Sequence, residues 1–201
     1  MFGRSLGDLV LLGVTLMELV LLFQLTPSFT LTDWIYLLQH LLVLGVALTR
    51  RPPERQDRSL LSNTSIVVVY AYPYGQLVYL RWVPGDEPWP QGGLYIVAAA
   101  ACLSLASLFS LGRLFGVRPA LRGLATKGPY RVTRHPMYLA YMVADFGYNL
   151  EEGNGGTALM VLAGWVALVY RIHAEERILA HDPGWAAYAA RVRSRLIPGL
   201  W

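Results

Sequence analysis

With 201 residues, 55% of them hydrophobic and only 15% charged, the chain is long enough for one domain but too apolar for an ordinary soluble one. Its formal net charge of +4 comes from arginine clusters set between apolar runs, which suits membrane topology and anionic headgroups rather than nucleic acid. The single cysteine, Cys102, lies within an apolar run, so neither a disulfide framework nor a cysteine-rich metal site is available.

A helix crosses a hydrocarbon core with about 20 mostly apolar residues. Four runs meet that length: Leu6–Leu25, Leu31–Thr49, Leu60–Trp82 and Gly92–Phe115. The first follows Arg4, as a signal peptide would. It contains Glu18, lacks a small-residue cleavage site and is followed by further runs, so it reads as a retained helix. Glu18 is expected to pair with a neighbouring helix before it contacts any substrate. Arg50–Arg58, with Pro52 and Pro53, is a polar elbow, and Pro84–Gly93 is an interfacial outer loop rich in Pro, Gly and Trp. From Arg113 the character changes: Gly116, Pro119, Gly123, Gly128 and Pro129 punctuate a connector far longer than a turn requires, and long ordered loops carry function. Two shorter runs, Met137–Leu150 and Gly156–Tyr170, form a tight helical hairpin whose second helix continues to about Ala180. Asp182-Pro183-Gly184 breaks the chain before a last amphipathic helix over Trp185–Arg195.

Charge alternates along these connectors. Arg4, the Arg50–Arg58 elbow, the Arg113–Arg134 stretch and the tail from Arg171 are basic; Asp33, Asp86, Glu87, Glu151 and Glu152 occupy the intervening connectors, with Arg81 the exception. The positive-inside rule then predicts six crossings with both termini in the cytoplasm. The expected fold is all-α: a polytopic transmembrane bundle of about six membrane segments, the last two a short hairpin, plus a C-terminal cytoplasmic helical tail. Residues 1–112 are read as scaffold and 113–201 as the functional part of one integrated domain. The Asn63-Thr64-Ser65 sequon falls on the inner side and reads as accidental.

Chemistry concentrates at GPYRVTRHPMY, Gly128 to Tyr138. Pro136 suits the first turn of a helix, where its missing N–H is no loss, and this places His135 at the helix mouth. A basic, aromatic helix start could hold an anionic or dipolar cofactor. Along the same helix Tyr138, Tyr141, Asp145 and Asn149 recur at spacings of three and four and share a face. Asp145 there is either a substrate-facing group or one that makes a structural hydrogen bond to a neighbouring helix, such as the one bearing Gln76 or Gln39. In Arg171–Arg177, Arg171 and Glu175 are i,i+4 neighbours. They form either a surface ion pair or one wall of a pocket shared with the Tyr130–Tyr138 segment. The histidines occur singly, without zinc or iron spacing, so no metal site is expected.

GPYRVTRHPMY, followed across a helical hairpin by EERILA, a short break, WAAYAARV and an Ile-Pro, resembles the isoprenylcysteine carboxyl methyltransferase and phospholipid methyltransferase superfamily. The resemblance covers roughly the last 90 residues of the sequence, from about Arg113. It implies an integral-membrane enzyme with S-adenosylmethionine in a pocket of the C-terminal part, open to the cytosol, and a lateral route for lipophilic acceptors. By position, Arg122, Gly123, Leu124 and Ala125 correspond to a backbone strip lining the cofactor site; Tyr130, His135, Met137 and Tyr138 correspond to further contacts. Glu175 matches the carboxylate that binds the cofactor, accompanied by Glu176, and Arg171 matches an arginine that orients the acceptor's carboxylate. Ala140 stands where glycine is common, and the break holds Asp-Pro-Gly rather than Phe-Gly, which puts the acceptor's identity in question.

The expected function is therefore S-adenosylmethionine-dependent methyl transfer to a small or lipophilic acceptor at the membrane interface. A carboxylate acceptor would be placed by Arg171 and need no base; an amine would need one, from Asp145 or Glu176. The rivals are an NADPH-dependent membrane reductase of the sterol-reductase-like type, for which Arg113, Arg118 and Arg122 are the available cations, and a non-catalytic membrane protein. Expected partners are the methyl acceptor and membrane lipids, not nucleic acid. The sequence leaves oligomeric state open, and a compact, arginine-rich chain suggests a bacterial inner membrane.

Overall fold

The computed structural model describes residues 31–83 and 92–201, with a few residues between 12 and 24. Most of the first predicted span, Glu18 included, and most of the Pro84–Gly93 loop lie outside the described residues. Six α-helices follow in order among those described: α1 (Leu31–Thr49), α2 (Leu60–Trp82), α3 (Gly92–Leu111), α4 (Pro136–Glu152), α5 (Gly155–Leu179) and α6 (Trp185–Arg191).

Local chemistry sets their ends. Ser59 caps α2, its side chain accepting from the Ser62 N–H at 3.2 Å, and Asp57 holds the Ser59 N–H at 2.8 Å. Pro136 occupies the first turn of α4 behind His135. Asn154 and Thr157 form a capping box at the start of α5, and the Thr157 hydroxyl reaches back to Asn149 Oδ1 at 2.6 Å. One hydroxyl thus ties the end of α4 to the start of α5, fixing the hairpin at Gly153-Asn154.

Helix α4 packs chiefly on α3, and α5 on α2. The α3–α4 crossing is close enough that a Cβ added at Gly93 would lie 2.5 Å from the Gly147 carbonyl oxygen, so only glycine fits there. Among the described residues two helical stretches, Gly92–Leu114 and Gly155–Leu179, are long and apolar enough to cross a membrane; α1 is apolar over the shorter stretch Leu37–Val46. Of the other crossings read from the sequence, the first lies mostly outside the described residues and α4 has 17 residues, while α1, α2 and α4 carry Gln39, His40, Tyr70, Tyr72, Gln76 and Asp145 on faces that line an internal cavity. Outward faces are apolar, as at Val166, 72% exposed, and Phe109, 75% exposed.

At the end of the bundle where α1, α3 and α5 finish and α4 begins, irregular chain is held by backbone pairing. A two-residue strand β1 (Arg55–Gln56) in the elbow pairs antiparallel with β2 (Ala120–Leu121) in the long connector, with Arg55 opposite Leu121 and Gln56 opposite Ala120. The tail beyond α6 folds back as a strap. The Arg134 and His135 N–H groups donate to the Ser194 and Arg195 carbonyls at 3.0 and 2.9 Å, and the Thr133 hydroxyl adds a bond to the Arg195 carbonyl at 2.5 Å. Leu196 then packs with Tyr138, Leu168 and Ile172 in the core.

Candidate functional site

Two cavities meet inside this frame. The outer one, with about 870 Å³ of empty space counted to its mouth, is bounded by the long connector, the 3-10 turn Gly128–Arg131, the start of α4, the end of α5, and α6. All nine residues expected to contact a cofactor line it: Arg122, Gly123, Leu124, Ala125, Tyr130, His135, Met137, Tyr138 and Glu175. Arg171 lines it too, whereas Glu176 and Asp145 do not.

One wall carries most of the charge. The Tyr138 hydroxyl donates to Glu175 Oε1, and the Arg171 Nε and Nη2 groups donate to the same hydroxyl at 3.4 and 3.3 Å. Arg171 Nη2 also donates to the Val117 carbonyl at 2.5 Å and lies 3.8 Å from Glu175 Oε1. The Arg171 side chain is only 3% exposed, and its Nη1 is buried without a hydrogen-bond partner. His135 stacks on Tyr138, with ring centroids 5.7 Å apart and planes 8° from parallel. Its Nδ1 is 3.7 Å from Glu175 Oε2 and its Nε2 is 3.4 Å from Glu176 Oε1. The two stretches singled out in the sequence therefore face each other.

Glu176 is differently placed from Glu175. It is gripped by Arg134 Nη1 at 3.0 Å and by Arg195 Nε at 2.9 Å. The Arg134 ion pair and the Arg195 hydrogen bond fasten the end of α5 to the helix mouth and to the strap rather than presenting a carboxylate to the cavity.

The opposite side of the outer cavity is basic. Arg118 and Arg122 line it, the latter with Nε on the Arg51 carbonyl at 3.0 Å. The Arg122 guanidinium lies over Gly116, where a side chain would collide with it. Burial first and nearby Arg50 second, opposed by Glu175, lower the Arg122 pKa to about 10. Gly123, at φ +112°, supplies the left-handed turn that bends the strip back toward the cavity. Deeper in, the Tyr188 hydroxyl donates to the Tyr130 carbonyl at 2.9 Å; burial pushes the Tyr188 phenol up to about 12 and the Tyr130 phenol higher still.

The inner cavity lies among α1, α2, α4 and α5 and shares Tyr70, Tyr138, Tyr141 and Arg171 with the outer one. Its lining is rich in tyrosine, with Tyr72, Tyr74 and Tyr148 joining Gln39, His40 and Asp145. Asp145 Oδ2 accepts from the Tyr72 hydroxyl at 2.5 Å and from Trp165 Nε1 at 3.0 Å, so it bonds to the helix that bears Gln76, as the structural reading expected, though through Tyr72. Sequence reasoning missed the tyrosines of α2, which look like interfacial belts and packing. It also missed Gly116, Trp185 and Tyr188 as lining residues; the WAAYAARV helix was the available signal for the last two.

The outer cavity thus sets Glu175 and Tyr138 beside the buried Arg171 and the arginines of the connector. Residues 92–182 match the family described as phospholipid methyltransferase, which belongs to the isoprenylcysteine carboxyl methyltransferase and phospholipid methyltransferase superfamily. The match begins at the start of α3, about twenty residues before the stretch that carries the resemblance in the sequence. No curated protein matches the chain.

Proposed function

We propose that this protein transfers a methyl group from S-adenosylmethionine, bound in the outer cavity, to a lipophilic or small-molecule acceptor that enters through the inner one. The observation that carries this reading is the shared wall, where Glu175, Tyr138 and Arg171 are linked by hydrogen bonds between the two cavities. The alternating connector charges support six crossings with both termini on the cytosolic side, which would open the outer cavity to the cytosol.

The residues present fit the cofactor. Glu175 suits its ammonium or ribose hydroxyls, Arg122 and Arg118 suit its carboxylate, and the Tyr130 and Tyr138 rings suit a sulfonium. When bound, S-adenosylmethionine supplies a methyl already activated on sulfur. The chain's own work is then to align and to exclude water. Arg171 Nη1, buried and without a partner, is satisfied by an acceptor carboxylate at the wall, and a carboxylate nucleophile needs no base. Glu176, held by Arg134 and Arg195, acts as a positioning residue that keeps His135 and the strap in place.

A membrane reductase draws on one specific observation, that Arg118 and Arg122 line the outer cavity where a 2′-phosphate would need cations. Calorimetric titration of the full chain with S-adenosylhomocysteine and, separately, with NADPH decides between them. Binding of S-adenosylhomocysteine alone is expected; binding of NADPH alone would replace methyl transfer with reduction, and binding of neither would leave a non-catalytic protein.

A further inference from the structure

The cross-links between α4 and α5 form two rungs. Arg171 donates to Tyr138 on the upper rung, and Trp165 donates to Asp145 on the lower. The rungs are seven residues apart along α4 and six along α5, which at the rise of an α-helix separates them by about 9–10 Å. The inner cavity touches both: Tyr138 and Arg171 line one end, and Asp145 lines its wall farther in.

The lower rung has the form of a recognition group. Asp145 Oδ2 takes both protein donors, the Tyr72 hydroxyl at 2.5 Å and Trp165 Nε1 at 3.0 Å, which fix the carboxyl plane. Among the described residues, Oδ1 accepts no hydrogen bond. Tyr74, which lines the same cavity, has a buried hydroxyl without a partner. An acidic side chain at membrane depth turns inward toward a cavity or partner, and Asp145 lines the chamber with one oxygen that takes neither protein donor. A site built to accept a hydrogen bond rejects a ligand without the donor far more strongly than an apolar site discriminates between chain lengths.

We infer that Asp145 determines acceptor specificity, recognising a hydrogen-bond-donating group, hydroxyl or ammonium, about 9–10 Å from the atom that takes the methyl. This rests on the reading of Arg171 as the methyl-accepting end of the chamber. An acceptor with a plain hydrocarbon tail is then a poor ligand, and Asp145 is a binding group rather than a base at the reacting atoms.

The test is calorimetric titration of the full chain in detergent with three probes. These are a saturated fatty acid, the ω-hydroxy fatty acid whose hydroxyl lies about 10 Å from the carboxylate, and the matching ω-amino acid. The protein is expected to bind the hydroxy and amino acids about tenfold more tightly than the parent acid, the effect of one charge-assisted hydrogen bond. Asp145→Leu should erase both preferences, and Asp145→Asn should keep the hydroxyl preference while losing the ammonium one. Should Asp145→Leu fail to fold, the contrast between hydroxyl and ammonium in Asp145→Asn still decides. Equal affinities in the unmodified chain, preferences that survive Asp145→Leu, or no binding of any acid would overturn the assignment. S-adenosylhomocysteine titrated into the same samples reads the outer cavity separately. Its binding without a probe preference sinks only the Asp145 assignment; a preference without its binding sinks the transferase reading and leaves the subsite standing.

Discussion

The Tyr138 hydroxyl donates to the Glu175 carboxylate across 37 positions of chain, joining the first turn of α4 to the last turns of α5. Because the same hydroxyl receives Arg171, one phenol orders both a carboxylate of the outer cavity and a guanidinium shared by the two cavities. Tyr138→Phe keeps the ring and its stack on His135 but removes this link. S-adenosylhomocysteine is expected to bind about tenfold more weakly to the variant, as befits the loss of one hydrogen bond to a charged group. Calorimetry checks this, and an unchanged affinity would mean that the phenol orders nothing the cofactor touches.

Neighbouring acids should respond in opposite ways. Glu175→Gln should weaken S-adenosylhomocysteine binding by tenfold or more, on the order expected for a charge-assisted contact, with little change in thermal stability. Glu176→Gln should instead lower stability by about 2–3 kcal/mol, since Arg134 loses its carboxylate while nearly buried; the figure is below that of a fully buried pair because Arg195 is about a third exposed. Melting curves and titrations on both variants separate the roles.

Gly93→Val tests the α3–α4 crossing. With a Cβ only 2.5 Å from the Gly147 carbonyl oxygen, the helices must part. A loss of about 1–3 kcal/mol is expected from overpacking. Asn154→Ala, which removes the α5 cap, should cost about 1 kcal/mol and leave the crossing intact. Chemical denaturation in detergent measures both.

Alkaline pH should loosen the region around α6. The Tyr188 phenol is raised from 10.0 to about 12 in the folded protein, so folding favours its protonated form. That contribution is fully present below the unfolded value and is lost as pH rises through the folded one, between about 10 and 12. Melting temperature is therefore expected to fall across that window, and to fall less steeply in Tyr188→Phe. Identical slopes would remove Tyr188 from the account.

What could be read in the sequence follows from where the information is local. The His135-Pro136 helix start, the Arg171–Glu175 spacing and the hairpin between Leu150 and Gly156 are written in contiguous residues, and the structure has them at the helix ends where spacing puts them. What escaped depends on contacts between distant, irregular segments. Strands of two residues such as β1 and β2 leave no alternation to detect, and the strap over Thr133–His135 is made by backbone groups that any sequence carries. The tyrosines of α2 were ambiguous for another reason: a ring at a membrane interface and a ring on a chamber wall have the same sequence signature. Only the hydrogen bond from Tyr72 to Asp145 separates the two.

The Arg122 guanidinium is steadied by the Arg51 carbonyl, and its strip is stitched to the elbow by β1 and β2. The early helices are thus more than a passive mooring. A chimera that grafted the C-terminal third onto foreign helices would inherit the acids and the histidine yet leave the basic rim without its footing. Swaps within this architecture should therefore carry the elbow between α1 and α2 along with the tail.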